Sequence, residues 1–255
     1  MGYPADILST RAVVKHGNYA VIPPEGLVNN QIPGLEGCRV SIVASPKMGA
    51  SFVEYLLEVA PGGGTSRPFG REAGIETFFA IVEGEGLLGA GEELSPASAG
   101  AYQYAPPGTG LSFCNNGTAP MKALLYKQRF QPAEGLALPP AVRGNYEEIP
   151  YREYDQMANV WIKDLLPVSL EYDMNFHILS FAPGGCHPFV ETHVQEHGAY
   201  VLEGEGCYLL DQDWRMIKKG DFLWFGPYVA QAAYGVGRSN FTYLYSKDCN
   251  RDPEI

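Results

Sequence analysis

An internal repeat constrains this chain more than any other feature. Ala60-Pro61-Gly62-Gly63 recurs as Ala182-Pro183-Gly184-Gly185. Val82-Glu83-Gly84-Glu85-Gly86 recurs as Leu202-Glu203-Gly204-Glu205-Gly206, Gly100 as Gly220, and Lys127 as Lys247, in the same order and about 120 residues apart. A chain that repeats its turn residues in this way is expected to fold the same unit twice. The segments between those turns are short and rich in apolar, aromatic and β-branched residues: 51–59, 77–82, 174–181, 199–202, 222–225 and 241–245. Each is bounded by Gly, Pro or Asn, which marks strands rather than helices. The expectation is an all-β chain with a unit at 33–132, a connector at 133–167 and a second unit at 168–255. A short helical turn is expected within 151–166. Residues 1–32 are expected to form an arm that packs across the other half or a neighbouring subunit.

Composition narrows the function classes. The chain is 45% hydrophobic and 18% charged, which suits a folded domain and not a disordered one. A net charge of −11 argues against nucleic acid as a partner, since phosphate binding needs a basic surface. The five cysteines, Cys38, Cys114, Cys186, Cys207 and Cys249, are odd in number and lack metal-finger spacing, so reduced thiols in the cytoplasm are expected. No leader peptide and no membrane span are expected, because no basic segment precedes an apolar core and no apolar run is long enough.

The chemistry concentrates in the second repeat, in Glu191-Thr192-His193-Val194-Gln195-Glu196-His197-Gly198. On a strand, Glu191 and His193 would share a face. His197 follows after a short turn that can return it to that face. Glu and His are ligand types for a divalent transition metal. The spacing is not H-E-x-x-H, so the helical zinc-protease motif does not apply. The block is similar to the first cupin motif, H-x-H followed by an acid and, six residues on, glycine. Here Glu191, His193 and His197 take the ligand positions and Gly204 closes the motif. Gly220 to Gln231 is similar to the second cupin motif, with Gly226-Pro227-Tyr228 at its turn and Gln231 at the ligand position. The fold this implies is a bicupin, two tandem double-stranded β-helix (jelly-roll) barrels.

The first repeat acts as an internal control. Aligned on Gly84, its residues at the four ligand positions are Arg71, Ala73, Thr77 and Leu111, a set that cannot hold a metal. The first unit is therefore expected to be structural or oligomer-forming, or to cover the cavity of the second.

The substituted ligands narrow the match further. His177-Ile178-Leu179-Ser180-Phe181-Ala182-Pro183-Gly184, the 191–200 block, the tail Tyr245-Ser246-Lys247-Asp248-Cys249-Asn250-Arg251-Asp252, and Arg11-Ala12-Val13-Val14-Lys15-His16-Gly17-Asn18 resemble the (S)-ureidoglycine aminohydrolase family. The resemblance runs over essentially the whole chain. It implies a hydrolase of C–N bonds in linear amidines. Such an enzyme converts (S)-ureidoglycine to (S)-ureidoglycolate and ammonia during allantoin degradation in purine catabolism. It also implies Mn²⁺ on Glu191, His193, His197 and Gln231, with Glu191, Gln231, Tyr243 and Lys247 touching the small ureide substrate and Tyr208 in the cavity. A homo-oligomer is expected.

Physical chemistry is consistent with that assignment. Glu and Gln oxygens make the site harder than three histidines would, which suits Mn²⁺. Lys247 offers a point charge to a carboxylate, and Glu191 is a candidate proton shuttle alongside its ligand role. His187 is placed to orient a ligand, and His177 reads as a satisfied interior histidine. Two other readings stay open. One is a metal-dependent oxygenase, which Gln231 fits poorly. The other is a non-catalytic bicupin that binds a small molecule.

Overall fold

The computed structural model describes residues 10–251. The amino-terminal residues read above for targeting signals (1–9) and the last residues of the tail (252–255) lie outside the described residues. The chain folds into strands: β1 Val13–Lys15, β2 Tyr19–Ile22, β3 Leu35–Ala44, β4 Val53–Thr65, β5 Ile75–Glu83, β6 Glu85–Ala90, β7 Ser95–Ser98, β8 Ala101–Ala105, β9 Leu111–Cys114 and β10 Met121–Arg129. They continue as β11 Val142–Asn145, β12 Arg152–Glu153, β13 Val160–Asp164, β14 Asn175–Phe181, β15 His197–Glu203, β16 Glu205–Leu210, β17 Asp213–Lys218, β18 Phe222–Phe225, β19 Gln231–Val236 and β20 Phe241–Lys247. The only helical element among the described residues is a 3₁₀ turn at Pro24–Gly26. No described helix is long and apolar enough to cross a membrane.

The sequence repeat is also a repeat of topology. One sheet contains the order β8-β5-β10-β4, and another contains β18-β15-β20-β14. The run β9-β6-β7 reappears as β19-β16-β17. The glycines that punctuate the sequence sit at matching corners. Gly84 lies between β5 and β6 at φ 91°, and Gly204 between β15 and β16 at φ 70°. A side chain at 204 would meet the Asn240 carbonyl at 2.1 Å, so both backbone shape and space demand glycine there.

Three apolar clusters fill the core of the described residues. One lies within the first half and contains Leu57, Phe79, Leu111, Phe113 and Leu125. A second lies within the second half and contains Leu179, Phe181, Tyr208, Phe225 and Tyr243. The third joins the halves: Phe78 and Tyr126 meet Phe176, Tyr200 and Trp224, and the Phe78 and Phe176 rings stack at 3.8 Å. Strand alternation explains the division on β14. Asn175, His177 and Leu179 face into the second half, whereas Phe176 and Ile178 face the first.

Several local expectations change. β4 does not stop before Ala60-Pro61-Gly62-Gly63 but runs through it to Thr65. The glycines permit this, because a Cβ at 64 would lie 2.2 Å from the Phe113 carbonyl oxygen of β9. The helical turn expected within 151–166 is absent. Arg152–Glu153 and Val160–Asp164 pair with each other as strands, and β13 pairs with β14. The turn between them needs Asp155, Gln156 and Asn159 at positive φ. In the arm, β2 pairs with β18, and Arg11 makes an ion pair with the fully buried Asp221 of the second half.

Candidate active site

The second half encloses a cavity of about 650 Å³. Its walls come from β12 to β16, from β18 to β20 and from the loop before β15. All its lining residues fall between Arg152 and Asn250, so the described part of the first half does not cover it. The sequence-predicted residues Glu191, His193, His197, Gln231, Tyr208, Tyr243 and Lys247 all line this one space.

Local structure explains how they meet. Glu191 is not within a strand; it forms an isolated bridge to Gln231 at the start of β19. The two residues exchange backbone hydrogen bonds of 2.8 and 3.0 Å. Facing residues of an antiparallel pair project to one side, so the Glu191 and Gln231 side chains enter the cavity together. The loop 192–196 then carries His193, whose carbonyl accepts a 2.7 Å hydrogen bond from the Tyr228 N–H. His197 opens β15. The strand expected across 191–193 fails because Glu196 turns away to other partners. Its carboxylate accepts from the Ser51 N–H at 2.7 Å and from Trp224 Nε1 at 2.8 Å, and its own N–H donates to Asp248 at 2.8 Å. Ser51 belongs to the first half, which therefore braces the loop from behind.

The imidazole tautomers follow from their partners. A carbonyl can only accept. Nδ1 of His197 therefore donates to the Ser246 carbonyl at 2.7 Å, and Nδ1 of His193 to the Gln195 carbonyl at 3.0 Å. Both Nε2 lone pairs are left facing each other, 3.4 Å apart. The Gln231 amide nitrogen donates to His193 Nε2 at 2.7 Å, and its oxygen accepts from the Tyr208 hydroxyl at 3.3 Å. Burial pushes the His197 imidazole down to about 3 and lowers His193 as well, which favours the neutral rings. Burial, with Asp155 nearby, raises the Glu191 carboxyl.

This donor set fits a divalent cation. Two imidazoles present unprotonated nitrogens to the same point, and each is fixed by a backbone carbonyl on its far side. Rotating the Gln231 amide by half a turn would give its oxygen to a cation and its nitrogen to Tyr208. The set is not drawn closed: among the described residues no three His, Cys, Asp or Glu side chains form one metal-holding group. The imidazoles and Gln231 touch, while Glu191 is joined to Gln231 through the backbone.

Lys247 and Tyr243 share the inner face of β20, because that strand pairs with β14 without a register break from Phe241 to Lys247. The Tyr243 and Tyr208 hydroxyls lie 3.4 Å apart, and burial raises both phenols. Lys247 Nζ reaches the Asn250 amide oxygen at 3.4 Å. His187 also lines the cavity, but its Nδ1 accepts from the Ala233 N–H at 3.0 Å, so it holds the backbone of β19, the strand that carries Gln231. Burial pushes it down to about 4.

Sequence reasoning missed Arg152, Asp164 and Tyr245, which also line the cavity. A signal was present in Val160-Trp161-Ile162, a β-branched and aromatic run inside the supposed connector. At the ligand positions of the first half no donors gather. Arg71 is exposed beside Glu92, Ala73 is exposed, and Leu111 is buried in the apolar cluster. The Thr77 hydroxyl is buried without a hydrogen-bond partner among the described residues.

No family model matches the chain. It is 50% identical over 255 residues to the (S)-ureidoglycine aminohydrolase of Escherichia coli strain K12, covering 100% of this chain and 97% of that relative. It superposes on the crystal structure of the E. coli protein YlbA with a TM-score of 0.87 at 47% identity, over 100% of both chains. A cupin 2 conserved barrel protein from Leptotrichia buccalis shares the fold at 16% identity and a TM-score of 0.62, covering 92% of this chain and 98% of that one.

Proposed function

The chain belongs to the (S)-ureidoglycine aminohydrolase family, whose members are hydrolases acting on C–N bonds, and from that premise we propose that its cavity converts (S)-ureidoglycine and water to (S)-ureidoglycolate and ammonia. The observation that carries the reading is the pair of unprotonated imidazole nitrogens on His193 and His197, 3.4 Å apart in the same cavity as Lys247. Glu191, His193, His197 and Gln231 are the proposed holders of a Mn²⁺ ion. Bound there, the ion would supply Lewis acidity toward substrate or water. Two tandem cupin barrels are the proposed organisation, at 33–132 and 168–255, with only the second carrying chemistry. The repeated strand order supports this.

The remaining residues bind and orient. Lys247 offers its ammonium to the substrate carboxylate as a point charge. The buried Tyr208 and Tyr243 hydroxyls, 3.4 Å apart, offer hydrogen bonds to the ureido group. Glu191 and Gln231, side by side on one bridge, can contact the substrate amine and the ureido carbonyl. The surrounding Phe225, Leu179 and Ile162 exclude water, which strengthens each of these polar contacts.

The test is ammonia release from freshly generated (S)-ureidoglycine by the full chain loaded with Mn²⁺, measured against the spontaneous rate. Acceleration well above background is expected. No acceleration with the metal confirmed in the protein would refute the proposal, and consumption of O₂ would point to oxygenase chemistry instead.

A further inference from the structure

The cavity contains an oriented histidine that the metal set does not use. Asp164 on β13 stands directly opposite His177 on β14. The His177 Nδ1 lies 2.9 Å from Asp164 Oδ1. The other carboxylate oxygen accepts from Arg152 Nε at 3.0 Å and Nη2 at 2.8 Å. Asp164 is therefore occupied on both sides and held ionised; the His177 hydrogen bond, aided by Arg152, brings it down to about 2. An ionised carboxylate only accepts, so His177 Nδ1 carries the proton and Nε2 carries a lone pair. His177 is nearly buried yet lines the cavity, and the hydrogen bond its ring makes among the described residues runs through Nδ1. The Tyr245 ring separates it from the metal set: its centroid is 5.1 Å from that of His177 and 5.1 Å from that of His197.

We propose that His177, held by Asp164 and Arg152, is the proton-transferring residue of the deamination. Its Nε2 takes a proton from the attacking water as the C–O bond forms. The C–N bond breaks as the C–O bond forms, so the carbon keeps four bonds, and Nε2 passes that proton to the departing nitrogen; ammonia leaves and the imidazole ends neutral. Atoms balance with water as the only co-reactant. Glu191, the candidate shuttle in the sequence, is a proposed holder of the metal, whereas His177 is not. The arrangement has the parts of an orienter and a base: the carboxylate fixes the tautomer and stabilises the imidazolium while the proton is held. Asp164 and Arg152 are positioning residues. The charged and titratable groups facing His177 are Asp164 and Arg152 on one side and Tyr245 and Lys247 on β20, with His197 beyond Tyr245.

This inference rests on the hydrolase reading, and the test separates the two. The full chain is loaded with Mn²⁺, and kcat, KM, bound metal and the pH dependence of kcat/KM are measured for wild type, His177→Gln and Asp164→Asn. His177→Gln is expected to lose about 100-fold or more in kcat, with KM and bound metal unchanged and the acid limb of the profile gone. Asp164→Asn is expected to lower kcat less and to move the acid limb to lower pH, because the imidazolium loses its anion. ¹⁵N NMR of the wild-type imidazole, which needs neither variant nor turnover, is expected to show the proton of His177 on Nδ1. A His177→Gln variant with at least half of wild-type kcat and an unchanged pH profile overturns this inference alone. So does an Nε2–H tautomer. Wild-type protein that gives no acceleration overturns the hydrolase reading, and this inference falls with it.

Discussion

Glu54→Gln should make the protein more stable at alkaline pH and leave it nearly unchanged at acid pH. Glu54 on β4 is fully buried at the junction of the halves, and neither carboxyl oxygen has a hydrogen-bond partner among the described residues. One oxygen packs against Gly198, the residue after His197. Burial without a partner pushes its pKa from 4.5 up to about 8. The folded state then holds a proton that the unfolded state has released. Stability is full below pH 4.5 and declines as pH rises to about 8. At about 1.4 kcal/mol per pH unit, the full loss is about 5 kcal/mol, of which about 3 kcal/mol falls between pH 5.5 and 8.5. Glu76 and Asp248 are raised in the same way, to about 8 and about 7, so the wild type carries their slopes too. The difference between wild type and Glu54→Gln isolates one residue. Urea unfolding at several pH values should show the midpoint of Glu54→Gln gaining about 1 M over wild type between pH 5.5 and 8.5, for a slope of about 3 kcal/mol/M. Parallel pH curves for the two proteins would refute the reasoning.

Gly198→Ala should cost about 1–3 kcal/mol and about tenfold or more in kcat, because the new methyl would start 2.0 Å from Glu54 Oε2 and push on the strand that begins at His197. Adding Glu54→Ala should restore most of the loss, measured as a double-mutant cycle in urea and in ammonia release. Arg11→Met should destabilise by about 3–5 kcal/mol, since it leaves the fully buried Asp221 carboxylate without its cation, and thermal unfolding will read it. Lys247→Met should raise KM for (S)-ureidoglycine more than about tenfold while bound Mn²⁺ stays unchanged, which steady-state kinetics with metal analysis will show.

Much of this was legible in the residues. The repeat announced two units of similar strand order. The ligand positions also pointed to the second half as the place to look for chemistry, since Leu111 and Ala73 have no donor atoms to offer. What stayed hidden depends on contacts between distant segments. Asp164 looked like part of a connector because Lys163 interrupts the apolar pattern around it. Lys163 is in fact buried, with its ammonium donating to the Tyr146 carbonyl at 2.7 Å. His177 read as a satisfied interior histidine; half of that holds, since Nδ1 is satisfied while the ring also lines the cavity. The 191–197 segment alternates like a strand, yet Glu196 bends it by reaching Ser51, Trp224 and Asp248, and no local pattern encodes those partners. The contacts through which the first half braces the second were likewise hidden. The first half lies behind the cavity, where the Ser51 N–H holds the loop through Glu196 and Glu54 packs against Gly198 of β15, rather than covering the opening.

The most direct test of the central claim is a titration of metal-stripped full-length chain with Mn²⁺ while ammonia release from (S)-ureidoglycine is recorded. The account predicts activity that rises in proportion to bound metal and saturates at one equivalent per chain, and that is absent in His193→Ala at every metal level. Full activity in the stripped protein, saturation at two equivalents, or an active His193→Ala variant would contradict it.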